Sequence, residues 1–179
     1  IPVKTINQNI FKFVLIPDLL HLTGGVTIQK ESDQLIKNRG KDLNTSEAVI
    51  TGAGQLPCRH VIHVAGPMWP MNEESLLYDA IMNILKQAES LKCKSLALPA
   101  ISAEIYGFPT DLCATTIVGA VHDFVTKNPS GLREIRFTNL KIEHSVALHK
   151  AMEELCGEDA VEGKPSSTTG NVVLFIFID

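Results

Sequence analysis

The sequence has few cysteines, and the four it has stand far apart. They lie at positions 58, 93, 113 and 156 of 179 residues, and no two of them form a CxxC pair. Structural zinc sites and disulfide-rich domains usually show cysteines at short, regular spacings. The spacing therefore predicts buried free thiols in a reducing compartment, and it favours neither a disulfide framework nor a zinc site.

The sequence also has no excess of positive charge. Its 16 Lys and Arg residues are outnumbered by 20 Asp and Glu residues, which gives a formal net charge of -4. Non-specific binding to nucleic acid depends on Lys and Arg side chains that neutralise phosphates. The composition thus argues against nucleic acid as a direct partner.

Long hydrophobic runs are scarce as well. The longest apolar run, residues 172–178, is far shorter than the 20 or so residues that a membrane-spanning helix needs. The first residues show no charged leader followed by an apolar stretch and a small-residue cleavage site. We therefore expect no membrane partner and no secretory signal.

The segments that are present alternate between strand and helix patterns. With 45% hydrophobic and 20% charged residues, the composition is that of one globular domain. The pattern predicts a three-layer α/β/α sandwich around a mixed, mainly parallel central sheet. Apolar spacing and turn residues predict strands at 11–16, 48–51, 59–65, 95–98 and 134–137, and helices at 28–39, 73–91, 110–126 and 143–156.

Three regions of unequal character follow along the chain. Residues 1–157 form the predicted domain, and residues 158–170 are rich in Gly, Pro, Ser and Thr, which predicts a polar linker or loop. Residues 171–179 are either an extra edge strand, placed beside residues 11–16, or a tail that belongs to a neighbouring domain. The paired arrangement is favoured because an exposed apolar strand invites aggregation.

The most informative stretch is residues 98–109. The apolar strand ends at Leu98-Pro99, a short loop carries Tyr106 and Gly107, and a helix begins near Thr110. Ligands of open α/β sheets bind outside the carboxyl ends of strands, and a helix N-terminus offers free N–H groups that suit phosphate. This order of elements predicts a phosphorylated ligand.

Two motifs together resemble the macrodomain family. Residues 49–69, VITGAGQLPCRHVIHVAGPMW, are similar to the middle of a macrodomain, and residues 98–109 are similar to its second ligand loop. The likeness covers about residues 19–157 and is strongest to the macrodomains carried in tandem by some ADP-ribosyltransferase-family proteins. It implies an α/β/α module that holds ADP-ribose, free or on a modified protein, in a cleft at the carboxyl edge of the sheet.

The resemblance also assigns site residues by motif. It implies that backbone N–H groups of two loops hold the diphosphate, that Tyr106 lies against the distal ribose, and that two residues after the 134–137 strand flank the adenine. The first loop is Gly24, Gly25 and Val26; the second is Ser102, Ala103, Glu104, Ile105, Tyr106 and Gly107; the adenine neighbours are Asn139 and Leu140.

The chain departs from the family pattern at three places. Ile16 runs directly into Pro17 where the family has an Asn-Ala-Ala-Asn type segment, and Val26 is followed at once by Thr27 where the family has a short helical stretch. Either the protein truly lacks these two pieces, or it has them and they are absent from the printed sequence. We favour the second explanation because both pieces fall in ligand loops. Glu104 stands where most relatives have glycine, and its charge would oppose a phosphate.

These features leave three functions open. The first is a non-catalytic reader of ADP-ribose, with no resident cofactor; the second is a degenerate macrodomain that serves as a protein interaction surface. The third, a hydrolase, is disfavoured because no nucleophile–base set is evident. His60 and His63 point to opposite faces of a strand, so we expect no metal site. The resemblance further implies a deltex-type ubiquitin ligase as partner, a nuclear and cytoplasmic location, and roles in DNA damage and interferon signalling.

Overall fold

A computed structural model describes residues 24–71, 74–127, 131–139 and 141–157, together with the backbone of residues 172–177. Nine helices and strands lie in these ranges. In chain order they are α1 (Val26–Arg39), β1 (Ala48–Gly52), β2 (His60–Val64), α2 (Glu74–Ser90), β3 (Ser95–Leu98), α3 (Thr110–Lys127), β4 (Glu134–Asn139), α4 (Ile142–Cys156) and β5 (Val172–Phe177).

The helices and strands predicted within these ranges are confirmed, with ends that shift by at most two residues. The helix α2 shows why. Six of its residues are buried at helical spacing, so a single apolar stripe fixes both its length and the face it presents to the core. The predicted strand at residues 11–16 and the predicted linker at residues 158–170 lie outside the described residues.

The strands pair in both senses. The strand β1 runs antiparallel to β2, with Ala48 opposite Val64 and Gly52 opposite His60. The strand β4 pairs with β3 in parallel and with β5 in antiparallel orientation. The prediction of a mixed sheet is therefore confirmed. The sheet was also predicted to be mainly parallel, whereas two of the three pairings among the described strands are antiparallel. The apolar segment near the carboxyl end pairs with β4 through Val172–Phe177.

Helices cover both faces of the sheet at β2. On one face, Ile62 and Val64 pack with α2, α3 and α4 into the main core. On the other face, Val61 packs against Ile28 and Ile36 of α1. Neighbouring residues of a strand point to opposite faces, so this alternation places β2 between two helical layers. The predicted three-layer α/β/α architecture is confirmed.

The direction of α1 decides where the first glycine loop lies. Near its start, Glu31 accepts a hydrogen bond from the backbone N–H of Gly52 at 2.7 Å, at the end of β1. At its other end, Arg39 forms an ion pair with Glu47, just before β1 begins. Thus α1 runs antiparallel to β1, and it starts beside the end of β1 and the beginning of β2.

The chain has no short separate helix after Val26 of the kind that the family pattern has. Residues 26–39 form one uninterrupted helix, which begins directly after Gly25 and ends at Gly40 in a left-handed C-cap. The departure from the family pattern seen in the sequence is therefore a departure in structure as well. That it arises by omission rather than deletion stays a prediction.

The four cysteines are free thiols, as predicted. Their burial differs from the expectation, since Cys113 alone is fully buried, whereas Cys58 and Cys156 are exposed. No helix among the described residues is long and apolar enough to cross a membrane.

Candidate functional site

The second loop begins with a buried hydrogen bond across the sheet. The backbone N–H of Ala100 donates to Oδ1 of Asn139 at 2.9 Å, and Nδ2 of Asn139 donates to Oγ of Ser145 at 3.3 Å. The side chain of Asn139 thus joins β3, β4 and α4. Both polar atoms of the Asn139 amide take part in these two hydrogen bonds, and the residue is buried. The amide is therefore not available to an adenine. Leu140, the other predicted neighbour of the adenine, lies outside the described residues.

The loop folds back on itself through its own backbone. The N–H of Phe108 donates to the carbonyl of Ser102 at 3.1 Å, and the N–H of Gly107 donates to the carbonyl of Glu104 at 3.0 Å. Within this hydrogen-bonded loop Ser102 has a φ of 68°, which is strained for a residue other than glycine. The loop therefore has a defined shape that rests on one unfavourable backbone conformation.

Two backbone donors in this loop are unpaired within the described part of the chain. The N–H groups of Ser102 and Ile105 have no hydrogen-bond partner among the described residues. Ile105 is 67% exposed, whereas Ser102 is 2% exposed and its Oγ is buried without a partner in the described part of the chain. Unpaired amides of this kind form a site that suits an anion.

The segment after β2 holds the second loop from one side. A Cβ on Gly66 would lie 2.7 Å from Oγ of Ser102, so only glycine lets the two segments come this close. The backbone N–H of Trp69 donates to the carbonyl of Tyr106 at 2.8 Å, and the Trp69 ring lies 5.2 Å from the ring of Phe108. The sequence motif at residues 49–69 contains both Gly66 and Trp69, but it assigned neither of them to the ligand site.

The remaining predicted residues of the second loop lie on or near its surface. Ala103, Glu104 and Tyr106 are half-buried, and Gly107 is exposed with a φ of 67°. The carboxylate of Glu104 is the only acidic group between residues 99 and 109. All six predicted residues, Ser102 to Gly107, are therefore brought together in one loop at the carboxyl end of β3.

The first glycine loop lies elsewhere. The carbonyl of Gly24 accepts a hydrogen bond from the backbone N–H of Gln55 at 3.0 Å, and a Cβ on Gly54 would lie only 2.1 Å from that carbonyl. Gly25 lies against the Gln55 side chain, and Val26 is 62% exposed at the start of α1. These residues are therefore packed on the turn that joins β1 to β2.

The two loops consequently lie at opposite ends of β2. The first loop is beside the turn that precedes His60, and the second is beside Gly66, which follows Val64. A strand of this length separates its ends by about 13 Å. The described residues therefore do not form the expected crevice between two glycine loops. The reason is that α1 starts directly after Gly25, so no separate helix leads the chain from the first loop to the other end of β2.

A buried histidine lies on the α1 face of β2. Nε2 of His63 is 2.6 Å from Oγ1 of Thr51, which donates its own proton to the carbonyl of Gly52 at 3.0 Å. Nε2 of His63 must therefore carry the proton that Thr51 accepts. Burial lowers the pKa of His63 to about 4, so the ring is neutral at pH 7.

His63 has no companions that would make it a metal ligand. His60 is exposed, whereas His63 is fully buried, which agrees with the predicted opposite faces. Throughout the described part of the chain, no group of three His, Cys, Asp or Glu side chains is arranged to hold a metal ion.

Comparison with known proteins gives a consistent result. The family model described as "Macro domain" matches residues 3–117. The chain is 35% identical to "Protein mono-ADP-ribosyltransferase PARP9" of Mus musculus over 93% of this chain and 21% of that protein. It is 45% identical to "O-acetyl-ADP-ribose deacetylase" of Escherichia fergusonii over 55% of this chain and 57% of that protein.

A solved structure agrees with these relatives. A variant of the macrodomain of Oceanobacillus iheyensis, solved with ADPR, superposes with a TM-score of 0.73 at 27% identity, over 79% of this chain and 78% of that one. The chain spans only about a fifth of the mouse protein, at 21%, and just over half of the bacterial deacetylase, at 57%.

Proposed function

Because this chain belongs to the macro domain family, we propose that it is a non-catalytic module that recognises ADP-ribose, free or carried on a modified protein. The observation that carries the proposal is the closed second loop, with the N–H groups of Ser102 and Ile105 left for a ligand. The similar Oceanobacillus structure, which was solved with ADPR, supports this ligand class.

The diphosphate is the part of ADP-ribose that this loop suits best. Backbone N–H groups donate to phosphate oxygens without adding a counter-charge, and the start of α3 at Thr110 follows the loop directly. With one glycine loop rather than two, fewer donors reach the ligand. We therefore expect weak binding.

Glu104 weakens binding further. A carboxylate about 5 Å from a phosphate charge costs about 3 kcal/mol at an effective dielectric constant of 20, which corresponds to about a hundredfold in affinity. Because Glu104 is only half-buried, solvent and salt reduce that cost. The residue makes this loop a poorer phosphate site than a glycine would.

Titration calorimetry with three ligands tests the proposal. We expect ADP-ribose and ADP to bind and adenosine to fail, because the diphosphate supplies the contacts. Glu104→Gly should bind more tightly than the unmodified chain, whereas Glu154→Gln, which removes an exposed carboxylate of α4, should change nothing. Equal binding of adenosine and ADP would refute recognition through the diphosphate.

A second function is favoured by the distance between the two glycine loops. A degenerate macrodomain without nucleotide affinity would act as a protein interaction surface. Exposed apolar side chains lie in the second loop and in the segment that follows β2, and they support this alternative; they are Met68, Trp69, Met71 and Ile105. An absence of binding by ADP-ribose, ADP and adenosine up to millimolar concentration would favour it over the reader.

We propose that the chain does not hydrolyse ADP-ribosyl bonds. A hydrolase needs a group that activates water within reach of the bond, and Glu104 is the only carboxylate of the loop. The deacetylase among its relatives makes a direct assay necessary. Incubation with O-acetyl-ADP-ribose and with mono-ADP-ribosylated protein should release neither acetate nor ADP-ribose.

The broader roles rest on the likeness to one relative. We propose that the chain shares, with its relative the B-aggressive lymphoma protein, a deltex-type ubiquitin ligase as partner, a nuclear and cytoplasmic location, and roles in DNA damage and interferon signalling. Binding between the purified chain and a purified deltex-type ligase tests the partnership. Fluorescence imaging of the tagged protein tests the location.

A further inference from the structure

The charges of this chain are unevenly placed along the sequence. Residues 60–85 and 95–126 hold none of the 16 Lys and Arg residues, although together they make up about a third of the 179 residues. The same two segments hold six of the 20 acidic residues, at positions 73, 74, 79, 104, 111 and 123. A partner that contacts both segments therefore meets negative charge that no basic side chain of these segments balances.

The fold brings the two segments together. The backbone N–H of Trp69 donates to the carbonyl of Tyr106 at 2.8 Å, and the ring of Trp69 lies 5.2 Å from the ring of Phe108. At the start of α2, the carboxylate of Glu74 accepts a hydrogen bond from the hydroxyl of Thr116 in α3 at 2.8 Å. The segment after β2, the second loop and the first turns of α2 and α3 therefore form one continuous surface.

This surface combines exposed apolar side chains with carboxylates. Met71 is 78% exposed and Ile105 is 67% exposed, and Glu104 comes directly before Ile105. Large apolar side chains that are exposed close together mark interaction sites. We call the following seven residues the acidic apolar face: Met68, Trp69, Met71, Ile105, Glu74, Glu104 and Asp111.

A separate observation points to a ligand at the same face. The hydroxyl of Ser102 is buried and has no hydrogen-bond partner in the described part of the chain. It lies between the two segments, where a Cβ on Gly66 would be only 2.7 Å away. Buried polar atoms in folded proteins nearly always have a partner, so the unpaired hydroxyl indicates that a bound molecule completes this face.

We infer that the acidic apolar face binds the polypeptide that carries the ADP-ribose, in an extended segment with basic and apolar residues beside the modified side chain. This inference rests on the proposed function, because it assigns the protein part of the modified partner. Apolar side chains of the partner would cover Met71 and Ile105, and its Lys or Arg side chains would pair with Glu104 and Asp111. Glu104 opposes the diphosphate, and a basic partner would offset that opposition.

The charge of the face argues against other occupants. A second copy of the chain in a two-fold symmetric dimer would place the same carboxylates opposite one another. An acidic polypeptide would meet the same repulsion. A basic and apolar segment is the occupant that matches both the charge and the exposed apolar area.

Fluorescence anisotropy with two labelled synthetic peptides tests the inference. Both peptides carry ADP-ribose on a central serine flanked by leucines, and they differ in having either lysines or glutamates beside the leucines. We expect the full chain to bind the lysine peptide about tenfold more tightly, because several exposed ion pairs each contribute a small factor. This preference should largely disappear at about 1 M salt. Equal affinities, or a preference for the glutamate peptide, would overturn the inference.

Two further ligands separate this inference from the proposed function. They are free ADP-ribose and the same pair of peptides without ADP-ribose. Binding of ADP-ribose with no preference between the modified peptides refutes docking at the acidic apolar face and leaves the reader in place. A preference for the unmodified lysine peptide, with no binding of ADP-ribose, upholds the docking face and refutes the reader.

Matched variants locate the contact. Met71→Ser should weaken binding of the modified lysine peptide about fivefold and leave the affinity for free ADP-ribose unchanged, because Met71 would contact only the polypeptide. Leu155→Ser alters an exposed apolar residue of α4 and should change neither affinity. Asp111→Asn should reduce the preference for lysine over glutamate, whereas Glu154→Gln in α4 should not. Equal effects within either pair would contradict binding at this face.

Discussion

The side-chain oxygen of Asn139 accepts a hydrogen bond from the backbone N–H of Ala100 at 2.9 Å. This contact joins the end of β4 to the start of the second loop. Both groups are buried, so the pair fixes where the loop leaves the sheet. The shape of the ligand loop therefore depends on a side chain that is distant in sequence.

Replacing Asn139 with alanine should destabilise the fold and loosen the loop. The buried N–H of Ala100 would lose its acceptor, which costs about 1–3 kcal/mol. Chemical denaturation measures this loss. Asn38→Ala, which removes an exposed side chain bonded to Gln34, should change stability by no more than about 0.5 kcal/mol. Equal effects of the two variants would refute a special role for Asn139.

Gly66→Ala should destabilise the protein through a clash with Ser102. The new Cβ would lie 2.7 Å from the Ser102 hydroxyl, and the double variant with Ser102→Ala removes that atom. We expect Ser102→Ala to restore part of the stability, which a double-mutant cycle measures. Gly119→Ala in α3 is the control, because its Cβ meets nothing within 4 Å, and it should stabilise by about 0.5–1 kcal/mol. Strict additivity of the two changes would contradict the contact.

Stability should fall in mildly acidic solution because His63 is buried. Its pKa is lowered from 6.5 to about 4, so the unfolded chain takes up the proton first as pH falls. The contribution is present in full above pH 6.5 and is lost as pH falls towards 4, to a total of about 3 kcal/mol. Denaturation across this range should show a smaller fall for His63→Gln than for His60→Gln, which alters an exposed ring. Parallel curves would refute the assignment.

Gly54→Ala tests the position of the first glycine loop. Its Cβ would lie 2.1 Å from the carbonyl of Gly24, and its φ of 56° is unfavourable for alanine. Gly40→Ala has a comparable φ of 69° and open space, so it shows the strain alone, about 1–2 kcal/mol. We expect Gly54→Ala to cost more stability than Gly40→Ala in chemical denaturation and to leave ADP-ribose affinity unchanged. A loss of affinity in folded Gly54→Ala would place the first loop at the ligand.

Local patterns predicted most of the fold. The apolar stripe of α2 and the apolar strand β3 depend on neighbouring residues, so their positions could be read from the sequence. The alternation of strand and helix patterns also predicted the layered architecture. The order of strands in the sheet was beyond reach, because it depends on contacts between distant segments.

The site was less predictable for the same reason. The motif at Gly24 and Gly25 indicated a phosphate loop, but its position depends on the direction of α1, which starts directly after it. Asn139 was expected beside an adenine, yet its side-chain amide is hydrogen-bonded to Ala100 and Ser145. The closeness of Gly66 to Ser102 appears only once two strands are placed side by side.

Titration calorimetry of ADP-ribose against the unmodified chain and Glu104→Gln tests the central claim most directly, which is that the second loop binds the diphosphate. The account predicts saturable binding to both, with a dissociation constant below about 1 mM for the unmodified chain. It also predicts a gain of about ten- to a hundredfold on removal of the Glu104 charge. Failure of both proteins to bind, or equal affinities, would contradict it.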